Sequence, residues 1–249
     1  MLGTIVKQLE KLVAQDSWLE RLVSKYSLVG ESVFFDTEQF PWSKDLESNW
    51  LVIRQELEQV LERVDELPNF DDISKRQKRI AGDNLWKTYF FYAFGFKVEK
   101  NCQRCPETAK ILEKIPGMKV AFFSILAPGK HIPKHRGKHK GLIRYHLGLK
   151  VPQPASQCRI QVADEVRYWQ EGKSLIFDDT YYHEVWNDTD GYRVVLFLDI
   201  ARPLAFHLAL VNWTVNNLVA ASPIVTEAKQ SHEVWENKFE EAKKSKELV

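Results

Sequence analysis

Three residues frame the chemistry this sequence can offer. His135 and His183 lie far apart in the chain, and Arg193 follows ten positions after the second. Imidazole nitrogens suit a first-row transition metal such as iron, and a guanidinium takes a carboxylate through two parallel N–H donors. Between the histidines runs IRYHLGLKV (143–151). Strand alternation puts Ile143, Tyr145, Leu147, Leu149 and Val151 on one face, and Arg144, His146 and Gly148 on the other. A cation and an imidazole on the same face need partners, because burying an unpaired charge is costly. A bound dicarboxylate would supply them, and so would an internal salt bridge or a solvent-facing strand. Arg193 poses the same choice at the head of RVVLFLDI: an internal acid, or a ligand carboxylate gripped bidentately. Asp179, four residues before His183, is placed to orient that imidazole or to cap a turn. His131 and His139 read as exposed loop histidines.

These residues need a scaffold, and the region 118–203 offers one. Short β-rich runs alternate with Gly, Pro and Asp: VAFFSIL, GLIRYHLGLKV, CRIQVADEVRYW, KSLIFDD, HEVW and YRVVLFLDI. That spacing predicts an all-β sandwich or barrel rather than βαβ units. The cluster Asn187–Gly191 predicts a turn between two antiparallel strands. Ahead of it, apolar positions at helical spacing predict amphipathic helices over 5–23, 45–65 and 107–115. The aromatic stretch 85–96 suits a buried strand. Behind it, 204–221 predicts a helix covering the barrel, with contact to a membrane surface as the alternative. The chain divides into a helical lead-in (1–117), a β core (118–203) and a helical C-terminal segment (204–249).

Composition narrows the classes. The 249 residues carry a net charge of +1 and 44% hydrophobic residues, enough for a sizeable core and too neutral for bulk nucleic-acid binding. No stretch offers about 20 unbroken apolar residues, and the N-terminus lacks the apolar centre of a signal peptide. The expectation is a cytoplasmic protein with no integral membrane span, at most peripheral to the membrane. Three cysteines, an odd number, argue against a disulfide framework. The lone C-x-x-C at Cys102 and Cys105 reads first as ordinary structural thiols, with redox or zinc roles as alternatives.

The motifs FSILAPGKHIPKHRG, GLIRYHLGL, EGKSLIFDDTYYHEVWND and YRVVLFLDIARP together resemble the aspartyl/asparaginyl β-hydroxylase family of Fe(II)/2-oxoglutarate oxygenases. The likeness is close over 118–203 and looser over FFDTEQFPWSKDLESNWLVIRQEL. It implies a mainly β fold with flanking helices, a double-stranded β-helix or jelly roll. It also implies Fe(II), 2-oxoglutarate and O2 as cofactor and cosubstrates. His135 and His183 would be the metal ligands. Ser124 and Arg193 would hold the distal carboxylate of 2-oxoglutarate, and Arg144 and His146 its metal-proximal end. Asp179 would stand behind the ligands. The usual triad adds a carboxylate two residues after the first histidine; here that residue is Gly137, as in the protein-hydroxylating type.

The implied reaction is hydroxylation of an unactivated carbon. The first expectation is Cβ of an aspartyl or asparaginyl residue, in a peptide or a carried amino acid. The alternative is C2 of a fatty acyl chain on a membrane lipid, which the amphipathic 5–23 and apolar 204–221 segments would suit. An inactive jelly-roll binding module and a zinc-binding cupin are rivals of another class. Lys130, Lys134, Arg136, Lys138 and Lys140 predict a cationic rim around the first histidine, able to steer anionic substrates of either kind.

Overall fold

Strand alternation decides which side chains meet where. A computed structural model describes residues 18–74 and 78–247. Its large sheet has seven strands: β1 (Phe34–Phe35), β2 (Trp86–Ala93), β3 (Phe96–Lys97), β4 (Met118–Leu126), β6 (Leu142–Lys150), β9 (Ser174–Phe177) and β11 (Arg193–Ala201), ordered β1-β9-β6-β11-β4-β2-β3. The small sheet has four: β5 (His131–His135), β7 (Cys158–Val162), β8 (Glu165–Tyr168) and β10 (His183–Asn187), ordered β5-β10-β7-β8. The strand pairings within both sheets are antiparallel. From β4 to β11 the chain passes back and forth between the sheets, with only β7 and β8 consecutive in one of them, and the result is a double-stranded β-helix, as the family resemblance implies.

Each long strand of the large sheet has two apolar faces. Ala121, Phe123 and Ile125 of β4, Ile143, Tyr145, Leu147 and Leu149 of β6, and Val194, Leu196, Leu198 and Ile200 of β11 turn outward beneath helices. The intervening residues Val120, Phe122, Leu126, Val195 and Phe197 turn inward to meet Ile132, Ile160, Val162 and Val185 of the small sheet. On β4, β6 and β11 the inward positions not filled by apolar groups are Ser124, Arg144, His146, Gly148, Arg193 and Asp199. The predicted faces of 143–149 are the observed ones. Val151 is the exception: it lies past the end of β6 and joins the inter-sheet cluster.

The outer face is covered by α2 (Ser43–Ser48), α3 (Trp50–Leu61) and α7 (Pro106–Leu112), through Leu46, Ile53, Leu57, Ala109 and Leu112. The single helix predicted over 45–65 is broken at Asn49, whose side-chain amide donates back to the Asp45 carbonyl at 2.7 Å. Of the helix predicted over 5–23, residues 18–25 form α1 (Trp18–Lys25), and 5–17 lie outside the described residues. The lead-in is not purely helical, since β1, β2 and β3 precede residue 118 and extend the large sheet. The cluster Asn187–Gly191 does not link neighbouring strands. It carries the chain from the small sheet to the large one, because β10 and β11 belong to different sheets. The Asn187 amide pins that crossing by donating to the carbonyls of Leu126, Ala127 and Gly191.

Four short or terminal helices complete the frame: α4 (Phe70–Ile73), α5 (Lys78–Ala81), α6 (Glu99–Arg104) and α8 (Phe206–Ala220). A last helix, α9 (Pro223–Glu247), returns along the molecule, with Arg104 and Glu236 paired at 2.6 Å. Among the described residues, no single helix is long and apolar enough to cross a membrane.

Candidate active site

β5 and β10 lie side by side, and their register sets His135 directly opposite His183. The two imidazole centroids are 4.1 Å apart. Each ring is fixed in the same way. His135 Nδ1 lies 2.8 Å from the Pro133 carbonyl, and His183 Nδ1 lies 3.0 Å from that of Tyr181. A carbonyl oxygen only accepts, so in both rings Nδ1 carries the proton and Nε2 is left with a bare lone pair. Burial holds His135 down to about 4 and His183 well below the usual histidine range, so both are neutral at pH 7. Two neutral imidazoles with locked tautomers and adjacent free nitrogens are prepared to share one cation. Among the described residues, no group of three His, Cys, Asp or Glu side chains is arranged to hold a metal. The site is built on a pair.

Gly137 explains why. A Cβ built there would lie 2.2 Å from Asp179 Oδ2 and 2.4 Å from its Cγ. The Gly137 amide also donates to the Asp179 carbonyl at 2.7 Å. The carboxylate of Asp179 fills the space into which a side chain at 137 would project. His183 Nδ1 is held by the Tyr181 carbonyl, and the Asp179 backbone also acts on that ring. Arg144 Nη2 lies 2.9 Å from Asp179 Oδ2, and the same guanidinium binds Asp199 through Nε at 2.9 Å and Nη2 at 3.1 Å. Burial opposes the charge on Arg144, but Asp179 and Asp199 outweigh it and raise its pKa. Asp179 is pushed up to about 6 by burial, against the pull of Arg144. Of the choices open for Arg144 in the sequence, the structure shows the internal ion pair. Its Nε and Nη2 are taken up by the two aspartates, which leaves the Nη1 donors outside these ion pairs.

His146 and Arg193 are different. His146 accepts from Trp169 Nε1 at its Nδ1, 3.4 Å away, so its Nε2 bears the proton. Burial, then Arg193 and Arg144, keep the ring neutral. Its Nε2 has no partner, and neither do Nε and Nη1 of Arg193. The Arg193 guanidinium lies 4.5 Å over the Trp169 ring, and burial lowers its pKa to about 10, which leaves it charged at neutral pH. Ser124, on the neighbouring strand, accepts from Trp86 Nε1 at 3.0 Å and keeps its own proton to donate. These three atoms of His146 and Arg193 are all donors. The barrel interior is short of acceptors, the deficit a ligand carboxylate would fill. Phe177 and Phe197 wall this region and contact His146 at 5.2 Å and 5.1 Å.

Several partners have little or no sequence signature. Trp169 stacks on Arg193 and bonds His146 from outside any strand. It fits because Gly148 has no side chain: a Cβ there would lie 2.2 Å from the Gln170 carbonyl oxygen. Asp199 could have been found, since it shares alternate positions on β11 with Arg193, Val195 and Phe197.

Other expectations change. Only Lys134 and Lys138 of the five basic residues stand exposed at a rim. Lys130 is buried against Asp83 at 2.6 Å and the Ile80 carbonyl, and Lys140 is buried against Glu31 at 2.8 Å. Arg136 pairs with Glu20 at 3.3 Å. His131 is exposed as expected, but His139 is held by Asn212 of α8 at 3.0 Å, and burial lowers its pKa to about 4. Cys102 and Cys105 are free and buried, and burial pushes the Cys105 thiol up to about 12, outside the reactive range.

The family profile described as aspartyl/asparaginyl beta-hydroxylase matches residues 47–203, the span that holds every residue of this site. The chain belongs to that family. It is 48% identical over 223 residues to the ornithine lipid ester-linked acyl 2-hydroxylase of Rhizobium tropici, covering 90% of this chain and 79% of the relative. It is 36% identical over 165 residues to human aspartyl/asparaginyl beta-hydroxylase, covering 64% of this chain and only 21% of that protein. Among solved structures, the cupin domain of an XRE family transcriptional regulator from Enterobacter cloacae is 14% identical over 47% of this chain and 96% of the other, at a TM-score of 0.33, too distant to bear on function. The relatives are hydroxylases, so this family member is placed among hydroxylating enzymes.

Proposed function

We propose that this protein is an Fe(II)- and 2-oxoglutarate-dependent hydroxylase acting on C2 of an ester-linked fatty acyl chain of a membrane lipid. The observation that carries the lipid substrate is the extent of the likeness to the Rhizobium acyl hydroxylase. It runs beyond residues 47–203 into the flanking segments, whereas the human relative matches over a fifth of its own length. This likeness favours the acyl chain over the aspartyl or asparaginyl Cβ expected from Gly137 and the basic residues around His135.

The side chains fit the implied groups. Two neutral imidazoles without thiolates suit divalent iron. The three orphaned donors, His146 Nε2 and Arg193 Nε and Nη1, suit a small dicarboxylate. Bound iron with 2-oxoglutarate and O2 would supply the oxidising power, leaving succinate and carbon dioxide. The protein supports that chemistry by position and exclusion. His135 and His183 offer Nε2. Arg193 takes the far carboxylate through its fork, and the Ser124 hydroxyl donates beside it. His146 donates through Nε2–H. Trp169, Phe177 and Phe197 keep water from the buried charges. Asp179 and Asp199 keep Arg144 beside the histidines.

The test is product analysis. Purified protein with Fe(II) and 2-oxoglutarate is incubated with a bacterial lipid extract and, separately, with a peptide pool. The expected result is a mass gain of one oxygen at C2 of the acyl chains, dependent on 2-oxoglutarate. A gain confined to Asp or Asn residues of the peptides would overturn the lipid reading.

Arg193→Lys should raise the 2-oxoglutarate concentration needed for half-maximal rate on the order of 30- to 100-fold, because lysine keeps the charge but loses the planar fork. That corresponds to about 2–3 kcal/mol. Initial rates against 2-oxoglutarate check it, and an unchanged half-saturation would make Arg193 purely structural.

A further inference from the structure

Helix α8 is built inside out. Its inward stripe is Leu208, Asn212, Val215 and Asn216, so half of what it buries is amide. Its outward face carries Phe206 at 87% exposure, Leu210 at 58% and Trp213 at 59%, flanked by Val211 and Leu218, with the polar His207, Thr214 and Asn217 exposed among them. From Pro203 to Thr226 the sequence has no Asp, Glu, Lys or Arg. Water-facing helices put polar residues out and apolar residues in. The reverse arrangement leaves a contiguous apolar patch, the signature of a surface that meets another phase.

The patch extends past the helix. Leu28, 70% exposed, is tied to the segment leading into α8 because its backbone N–H donates to the Pro203 carbonyl at 2.9 Å. α1 packs along α8 through Leu19 and Val23 against Leu208 and Val215, and its Trp18 is also exposed. The surrounding charge is basic. Arg21 and Lys25 stand exposed on α1, Lys134 and Lys138 on the segment around His135. The acids of this region, Glu20 and Glu31, are engaged by Arg136 and Lys140.

The patch is also joined to the active site. Asn212 Oδ1 accepts from His139 Nε2 at 3.0 Å, its Nδ2 donates to the Gly141 carbonyl at 2.9 Å, and a Cβ on Gly141 would lie 2.0 Å from Oδ1. Helix α8 is therefore fixed to the 136–141 loop that leaves His135.

We propose that the outer face of α8, with Leu28 and Trp18 beside it, docks on the surface of an anionic lipid bilayer and seats the His135–His183 mouth at the level of the headgroups. The choice of a lipid occupant rests on the proposed reaction and on charge complementarity. Apolar and tryptophan side chains enter the interface while the lysines and arginines around them meet anionic headgroups. Docking would deliver an acyl chain to the site without pulling a whole lipid into water.

The test uses the full chain and vesicles of equal parts phosphatidylglycerol and phosphatidylcholine, or of phosphatidylcholine alone. The wild type should co-float with the mixed vesicles, more weakly with the neutral ones and at high salt. The triple variant Phe206→Ser/Leu210→Ser/Trp213→Ser should partition at least tenfold more weakly with an unchanged melting temperature. It should hydroxylate detergent-dispersed lipid like the wild type, and vesicle-embedded lipid poorly. Equal vesicle binding by the variant, or none by the wild type, overturns docking. So does a wild-type dimer that the variant dissolves, which would make the face an interface between copies. Vesicle binding without lipid hydroxylation would leave docking standing and sink the proposed reaction. Hydroxylation in detergent without vesicle binding would do the opposite.

Discussion

His183→Ala and, separately, His135→Ala should each abolish metal-dependent hydroxylation while the barrel stays folded. In the proposed site the two Nε2 atoms would be the whole of the imidazole ligation, and no third His, Cys, Asp or Glu among the described residues completes a set. A metal held by one imidazole has lost half its protein anchorage and the geometry the second ring imposed. The expected fall in turnover is at least about a thousandfold, or roughly 4 kcal/mol of barrier. Each ring hydrogen-bonds a backbone carbonyl two residues earlier and neither side chain joins the strand ladders, so circular dichroism should remain that of the wild type. Iron binding, followed by equilibrium dialysis, should drop with the activity. A variant keeping more than about a tenth of wild-type succinate production, a loss of under about 1.4 kcal/mol, would sink the two-histidine assignment.

The legible parts of this protein were those governed by alternation. β6 and β11 declare their two faces in sequence, so the inward placement of Arg144, His146 and Arg193 follows from a period of two. What alternation does not carry is the partner across the sheet. Arg144 is answered by Asp199, 55 residues later, because β6 and β11 are neighbours in the sheet order. Trp169 reaches Arg193 only because Gly148 leaves backbone space. The lysines flanking His135 share one sequence neighbourhood yet have different fates: Lys130 turns into the fold toward Asp83, while Lys134 stays in water. Charge type along a segment does not encode side-chain direction when the segment bends out of a strand. Helix α8 was legible as apolar, but its reversed polarity became visible only when Asn212 was found gripping the 136–141 loop.

Gly137→Asp is the substitution that would complete a His-x-Asp…His set on paper, and it should fail. The Cβ alone would arrive 2.2 Å from Asp179 Oδ2, with the carboxyl still to be placed. Asp179 cannot easily withdraw, since it is buried, its carboxylate is paired with Arg144, and its carbonyl takes the Gly137 amide. A second carboxylate in that space also adds a third acid around one guanidinium, Arg144, already shared by Asp179 and Asp199. Overpacking of a tight interior costs typically 1–3 kcal/mol, and like-charge crowding adds to it. The expected outcome is a lower melting temperature and a fall in hydroxylation of about a hundredfold, some 2.7 kcal/mol. Adding Asp179→Gly to Gly137→Asp moves the carboxylate from one strand connection to the other and removes the overlap. The double variant should recover at least tenfold over Gly137→Asp alone and regain most of the lost melting temperature. If Gly137→Asp by itself tightened iron binding or raised turnover, the space at 137 would be free, and the carboxylate of Asp179 would have no part in why this site runs on two histidines.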